Sequence, residues 1–128
     1  DDNIISTALL HDVCEDCGVL VEDLPVNDIT KEAVLLLTKD DSIDKEDYYQ
    51  RISGNPIAIM IKLLDRCNNI SGMSAGFSKE KLVEYIKETE SYVYPLFQKG
   101  KSEYPMYSNQ IFLIKYHMVS VIEAIKRQ

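Results

Sequence analysis

The amino-acid sequence predicts an all-α protein. Apolar residues recur at helical spacing along the chain, and no segment shows the strict alternation of apolar and polar residues that is typical of a half-buried strand. Helix-capping and helix-ending residues stand between the periodic segments, among them Thr30, Ser78 and the tripeptide Gly54-Asn55-Pro56. These observations favour a helical bundle of about five to seven helices.

Each predicted helix has its own local signals. Asp2 or Asn3 can cap the first, Thr30 caps the second, and Asn55 caps the fourth with Pro56 in its first turn. Ser78 caps a long helix that Gly100 is expected to end. The predicted spans are residues 3 to 13, 30 to 39, 45 to 52, 56 to 70, 78 to 97 and 108 to 126.

Composition limits the classes of function. A chain of 128 residues with 45% apolar residues can bury the core of one domain, which we expect to cover residues 1 to 128. A net charge of -7 argues against DNA, RNA or anionic membranes as partners. No apolar run approaches the roughly 20 residues that cross a bilayer, and no signal-peptide pattern opens the chain, so we expect a cytoplasmic protein.

The beginning of the chain suggests a missing neighbour. The sequence starts at Asp1 and enters an apolar periodic segment within a few residues, which leaves little chain to cover that segment. We therefore expect an N-terminally incomplete domain, which could self-associate through the uncovered helix at residues 3 to 13.

The predicted helix at residues 56 to 70 carries a polar stripe on an apolar background. Its apolar residues cover most of its circumference, which is typical of a buried central helix. The stripe could be a solvated face whose charges pair with one another, or it could line a cavity. At spacings of three and four residues it contains Lys62, Asp65, Arg66 and Asn69.

A second polar cluster, HDVCED at residues 11 to 16, ends the first predicted helix. One interpretation of such a cluster is simply a capping or solvated helix end. Alternatively, the imidazole of His11 and the carboxylate of Asp12 form a mixed nitrogen and oxygen donor set that suits Mn, Fe or Zn. Asp65 would supply a third ligand, and the cation would offset the cost of gathering carboxylates.

The two segments HDVCED and KLLDRCNN, the latter at residues 62 to 69, together resemble the paired motifs of the HD superfamily of metal-dependent phosphohydrolases. The resemblance is to the RelA/SpoT-type branch, which hydrolyses guanosine tetraphosphate (ppGpp), and it covers roughly residues 4 to 97. It implies an HD-domain helical bundle and a manganese cofactor.

Matching the motifs position by position implies roles for the residues of the cluster. The resemblance implies that His11, Asp12 and Asp65 bind the metal. Glu15 and Asp16 would position and deprotonate the attacking water, a task that needs a carboxylate near the ion but not on it.

The same match implies that Lys62, Arg66 and Asn69 hold the substrate or brace the site, with the two cations set against phosphate charge. The sequence departs from the family in two respects. The family takes a further metal-binding histidine from a helix before the His-Asp motif, and without it we expect the chain alone to be nearly inactive. The sequence also shows no synthetase domain, so it resembles the small, hydrolase-only members or a hydrolase fragment of a larger enzyme. The other histidine of this chain, His117, is expected to be structural rather than a ligand.

These expectations favour a guanosine tetraphosphate 3'-pyrophosphohydrolase that uses a metal-activated water. The alternatives are an HD phosphohydrolase that acts on another nucleotide or phosphoester, and a regulatory HD domain that has lost turnover. The pair Cys14-x-x-Cys17 lacks a second pair and a strand-to-helix context, so it is interpreted as a coincidence of spacing.

Overall fold

The chain is all-α in a computed structural model that describes residues 27–38, 42–72 and 76–127. Within these ranges every regular element is a helix and none is a strand, which confirms the predicted fold class. The predicted helix at residues 3 to 13 lies outside the described residues. The chain divides between Ile61 and Lys62 into two compact units, each of which is described on its own below.

Helices α1 (Asp28–Leu37) and α2 (Lys45–Ile52) begin at short polar side chains. The side chain of Asn27 accepts a hydrogen bond of 2.8 Å from the amide of Thr30, so Asn27 is the cap of α1 and the prediction of Thr30 as its cap was wrong. Thr30 lies inside the helix and is 1% exposed. Asp44 caps α2 through a 2.8 Å hydrogen bond from the amide of Asp47.

Helices α1 and α2 pack against each other. The phenol of Tyr48 donates a 2.7 Å hydrogen bond to the carbonyl oxygen of Leu37, which fixes the end of α1 against the middle of α2. Because this carbonyl is one of the groups without a partner inside its own helix, the bond satisfies a buried acceptor. The buried residues of the two helices are Thr30, Ala33, Val34, Leu37, Tyr48, Tyr49 and Ile52.

Helix α3 (Pro56–Gly72) begins where the sequence predicts. The side chain of Asn55 accepts a 2.9 Å hydrogen bond from the amide of Ala58, and Pro56 occupies the first turn, where its missing amide hydrogen costs nothing. The apolar side of this helix is narrower than predicted, because Leu64 is 45% exposed. The buried apolar residues of α3 are Ile57, Ala58, Ile59, Met60, Ile61, Leu63 and Ile70.

Loss of the Asn55 cap gives a first testable prediction. We expect Asn55→Ala to lower the free energy of unfolding by about 1 kcal/mol, because the amide of Ala58 loses its acceptor. Asn109→Ala is the matched control, since Asn109 is exposed in the last helix, whose N-terminus has no side-chain cap. Urea denaturation followed by circular dichroism measures both, and equal stability of the two variants would contradict the capping role.

The long helix predicted from Ser78 consists of three segments. Helix α4 (Lys79–Glu88) is capped by Ser78, a π-helical turn follows (Thr89–Val93), and α5 (Tyr94–Glu103) continues from it. The amide of Tyr94 donates to the carbonyl of Thr89, five residues back. Pro95 accounts for the wider turn, because a proline inside an α-helix lacks an amide hydrogen and its ring clashes with the carbonyl four residues earlier.

The end of α5 corrects a second prediction. Gly100 was expected to end the helix, but it is buried within α5, which continues to Glu103. The chain leaves the helix at Tyr104, whose φ of -128° and ψ of 65° are not helical. Tyr104 precedes Pro105, and the residue before a proline is sterically disfavoured in the helical region. Proline therefore ends this helix.

A short 3₁₀ turn (Pro105–Tyr107) leads into α6 (Ser108–Lys126), whose bounds are those predicted. Ile111, Met118 and Ile122 are its buried residues. Helix α6 packs against α5. Across the described ranges, no helix combines the length and apolar character needed to cross a membrane.

Candidate functional site

The predicted site residues fall into two groups. The first group lies outside the described residues and contains His11, Asp12, Glu15 and Asp16. Cys14 and Cys17, to which no role in the site was assigned, also lie outside the described residues. The second group lies on α3 and contains Lys62, Asp65, Arg66 and Asn69. The structure therefore shows the geometry of the second group, and the roles implied for the first group stay predictions.

The polar stripe of α3 is not a uniformly solvated face. Arg66 is 4% exposed and is therefore buried. Lys62 and Asp65 are half-buried, and Asn69 is exposed. An arginine buried to this degree needs partners for its charge and for its donors, because an unpaired buried charge is costly.

Arg66 finds those partners at the end of α4. Its Nη2 donates to Oε2 of Glu88 at 2.6 Å, and its Nη1 donates to Oγ1 of Thr89 at 3.3 Å. The guanidinium carbon lies 4.1 Å from the centre of the Tyr85 ring, within the range of a cation–π interaction. The side chain of Glu88 is only 19% exposed, so the ion pair is partly shielded from water.

Thr89 connects this ion pair to the π-helical turn. Its hydroxyl donates a 2.8 Å hydrogen bond to the carbonyl of Tyr85, and the same oxygen accepts from Arg66. Thr89 is fully buried and is the first residue of the turn. Arg66 thus fixes α3 to the junction between α4 and the π-helical turn, where two backbone geometries meet.

Tyr85 forms the side of a cavity next to Asn69. Burial raises the pKa of the Tyr85 phenol, while the nearby Arg66 and a hydrogen bond with the Asn69 side chain act in the opposite direction. The Tyr85 ring meets Phe77 edge to face at 6.0 Å between ring centres. The cavity has a volume of about 420 Å³ and is lined by Asn68, Asn69, Gly72, Phe77 and Tyr85.

This cavity can accept a flat polar group. The two carboxamides each offer donors and an acceptor, and the two aromatic rings provide apolar contact. The volume lies within the range of small-molecule pockets. Asn69 belongs to both the predicted site and the cavity, so the structure brings one predicted residue to an opening of suitable size.

Most of the predicted metal ligand set lies outside the described residues. Of the three predicted ligands only Asp65 lies among them, and within the described ranges no group of three His, Cys, Asp or Glu side chains is placed to hold a metal ion. Cys67, two residues after Asp65, is half-buried, and this burial raises the pKa of its thiol.

Two partners of Arg66 were not predicted from the sequence. Glu88 and Thr89 lie 22 and 23 residues after Arg66, and no local spacing connects them to it. His117 is an exposed residue of α6, and its structural role stays a prediction.

Comparison of the chain with models of protein families, with curated proteins and with solved structures finds no significant match.

Proposed function

We propose that this chain is a metal-dependent phosphohydrolase that removes pyrophosphate from the 3' position of guanosine tetraphosphate. The observation that carries the proposal is the pair of motifs HDVCED and KLLDRCNN, which resemble the two halves of the site in RelA/SpoT-type HD hydrolases. Either motif alone has an ordinary structural explanation. Their resemblance as a pair implies a metal-ligand set, a water-activating pair and a phosphate-binding lysine.

The geometry of α3 supports the proposal in two ways. The ion pair with Glu88 and the hydrogen bond with Thr89 fix the side chain of Arg66, which favours a bracing role for this residue over contact with the substrate. A braced helix can hold the neighbouring Asp65 in a constant position, as a metal ligand requires. Asn69, one turn after Asp65, lines the cavity beside Tyr85 and is therefore placed to contact a substrate.

The proposed chemistry assigns a task to each motif. A bound manganese ion would polarise a phosphoryl oxygen and lower the pKa of the attacking water. Glu15 and Asp16 would accept the proton that this water loses as its oxygen attacks phosphorus. The bond between that phosphorus and the 3' oxygen would break, and the 3' oxygen would take up a proton. Lys62 would oppose the negative charge that develops on the phosphoryl oxygens.

A metal scan combined with a nucleotide panel tests this function. The chain would be incubated with Mn²⁺, Zn²⁺ or Mg²⁺ and with guanosine tetraphosphate, guanosine diphosphate or a nucleoside monophosphate, and released pyrophosphate and phosphate would be measured separately. Pyrophosphate released from guanosine tetraphosphate with Mn²⁺ supports the proposal. Release from another nucleotide alone would move the chain to a different HD phosphohydrolase. No release with any metal, either from this chain or from one extended upstream by a helix that bears a histidine, would favour a regulatory domain.

We expect Asp65→Asn to weaken Mn²⁺ binding by more than the roughly tenfold to hundredfold that loss of an outer-shell partner costs, because the amide is nearly isosteric but carries no negative charge. The helical content should stay unchanged. Cys14→Ser and Cys17→Ser are the matched controls and should leave metal affinity nearly unchanged. Calorimetric titration with Mn²⁺ and circular dichroism measure both quantities. Equal losses in all three variants would indicate thiolate ligation and contradict the proposed ligand set.

A further inference from the structure

A pocket between α5 and α6 lies outside the predicted site. Its volume is about 370 Å³, which falls within the range of pockets that hold small molecules. Phe97 and Ile111 are 1% and 2% exposed and form the buried part of its wall. The remaining lining residues are Gln98, Lys101, Phe112, Lys115, Tyr116, Val119 and Ser120.

The pocket presents exposed aromatic surface. Phe112 is 63% exposed and Tyr116 is 69% exposed, and the two residues lie four positions apart on one side of α6. Large apolar side chains that are exposed singly are ordinary on protein surfaces, but two aromatic rings that line the same pocket form a contact surface. An apolar body that entered the pocket would cover both rings.

The charge of the pocket is opposite to that of the chain. Two of its lining residues are lysines and none is acidic, although the chain has a net charge of -7. In the described part of the chain, neither Lys101 nor Lys115 forms an ion pair with a carboxylate. Both side chains are exposed, so their apolar stems can line the pocket while their ammonium groups stay at its edge.

A second groove in the same part of the chain provides an internal comparison. It has a volume of about 480 Å³ and is lined by Phe77, Lys79, Leu82, Val83, Ile86, Ile125 and Lys126. Lys126 there is paired with Glu90 at 2.8 Å and approaches Glu123 at 3.9 Å. The positive charge of that groove is thus partly neutralised within the chain, whereas no described carboxylate pairs with the two lysines of the pocket between α5 and α6.

We propose that the pocket between α5 and α6 binds a small amphipathic anion, with its apolar body against Phe112 and Tyr116 and its charged head between Lys101 and Lys115. Charge complementarity carries this choice of occupant. A second copy of the chain would bring its own Lys101 and Lys115 to a symmetric contact, where like charges repel. The side-chain amide of Gln98 can donate a further hydrogen bond to the head.

Calorimetric titration with four probes tests the proposal: octanoate and naphthoate as anions, and octanamide and naphthamide as neutral counterparts of the same shape. Both acids should bind and both amides should bind more weakly. Each of Lys101→Met and Lys115→Met should weaken binding of the acids about threefold to fivefold, as expected for exposed ion pairs, and the double variant about tenfold. Lys79→Met, in the second groove, is the matched control and should leave the affinity unchanged.

The position of the bound anion and the contribution of its charge are measured by two further experiments on the same protein. Amide chemical shifts should change on adding octanoate at residues 97–101 and 111–120, and added salt should weaken binding of the acids but not of the amides. Equal affinity for acids and amides, equal effects of Lys79→Met and Lys101→Met, or binding only to phosphatidylglycerol vesicles would overturn the proposal. Self-association that excludes both acids would also overturn it.

Discussion

Glu15→Gln is expected to lower kcat for guanosine tetraphosphate about 10² to 10⁴-fold while Mn²⁺ affinity stays nearly unchanged. The prediction rests on the proposed function, in which Glu15 accepts a proton from the attacking water. Glutamine keeps the size of the side chain and its hydrogen bonding but cannot accept that proton. Because Glu15 is not among the proposed ligands, its replacement should separate turnover from metal binding.

The measurement is kcat at saturating substrate and metal, together with a Mn²⁺ titration of each variant. Glu46→Gln is the matched control, since Glu46 is an exposed residue of the first turn of α2. It should leave both quantities unchanged. A loss in kcat of less than about fivefold for Glu15→Gln would remove this residue from the role of base. A parallel loss of metal affinity would instead assign it to the ligand set.

Local signals explain why much of the fold is predictable from the sequence. The predicted bounds of α2 and α6 agree with the structure, and Asn55 and Ser78 cap the helices that they were expected to cap. Each of these features depends on residues within a few positions of one another. Capping side chains and apolar periodicity act over that distance, so sequence reasoning can evaluate them.

The wrong predictions of helix ends came from choosing between two competing local signals. Gly100 and Pro105 both can end a helix, and the structure ends α5 before the proline, with Gly100 buried inside it. Asn27 and Thr30 can both cap the N-terminus of a helix. Asn27 caps α1, and Thr30 lies in the buried face of that helix. Burial depends on tertiary packing, and a local pattern does not determine it.

The candidate site illustrates the same limit at longer range. The helical spacing of the stripe on α3 was predicted from the sequence, but the different burial of Arg66 and Asn69 was not. Arg66 can be buried because Glu88 and Thr89 accept its hydrogen bonds. Those two residues belong to a different helix and to the turn after it. No spacing rule predicts a pairing across 22 residues.

Arg66→Met is expected to lower the free energy of unfolding by about 2 to 4 kcal/mol. The substitution removes a guanidinium that lies 2.6 Å from Glu88, donates to Thr89 and lies 4.1 Å from the centre of the Tyr85 ring. Breaking a buried pair is costly because the remaining charge stays poorly solvated. The 19% exposure of the Glu88 side chain lets some water reach the carboxylate, which limits the loss.

A double-mutant cycle measures the pair itself. Glu88→Gln, Arg66→Met and the combined variant would be unfolded in urea, and we expect a coupling energy of about 1 to 2 kcal/mol. Arg66→Lys should recover part of the loss, because an ammonium keeps the charge but cannot donate to Glu88 and Thr89 in the planar geometry of a guanidinium. Arg51→Met, at an exposed position of α2, is the control and should change stability by about 0.5 kcal/mol or less.

The same variants decide whether Arg66 braces the site or binds the substrate. If Arg66 braces the site, Arg66→Met should lower the free energy of unfolding and should lower kcat because Asp65 is displaced. A stabilising solute should then partly restore both quantities. If Arg66 instead binds the substrate, Arg66→Met should raise KM without changing the free energy of unfolding. Equal stability of Arg66→Met and Arg51→Met, with KM raised only in the first, would reverse the assignment and return Arg66 to the phosphate-binding role that the motif implies.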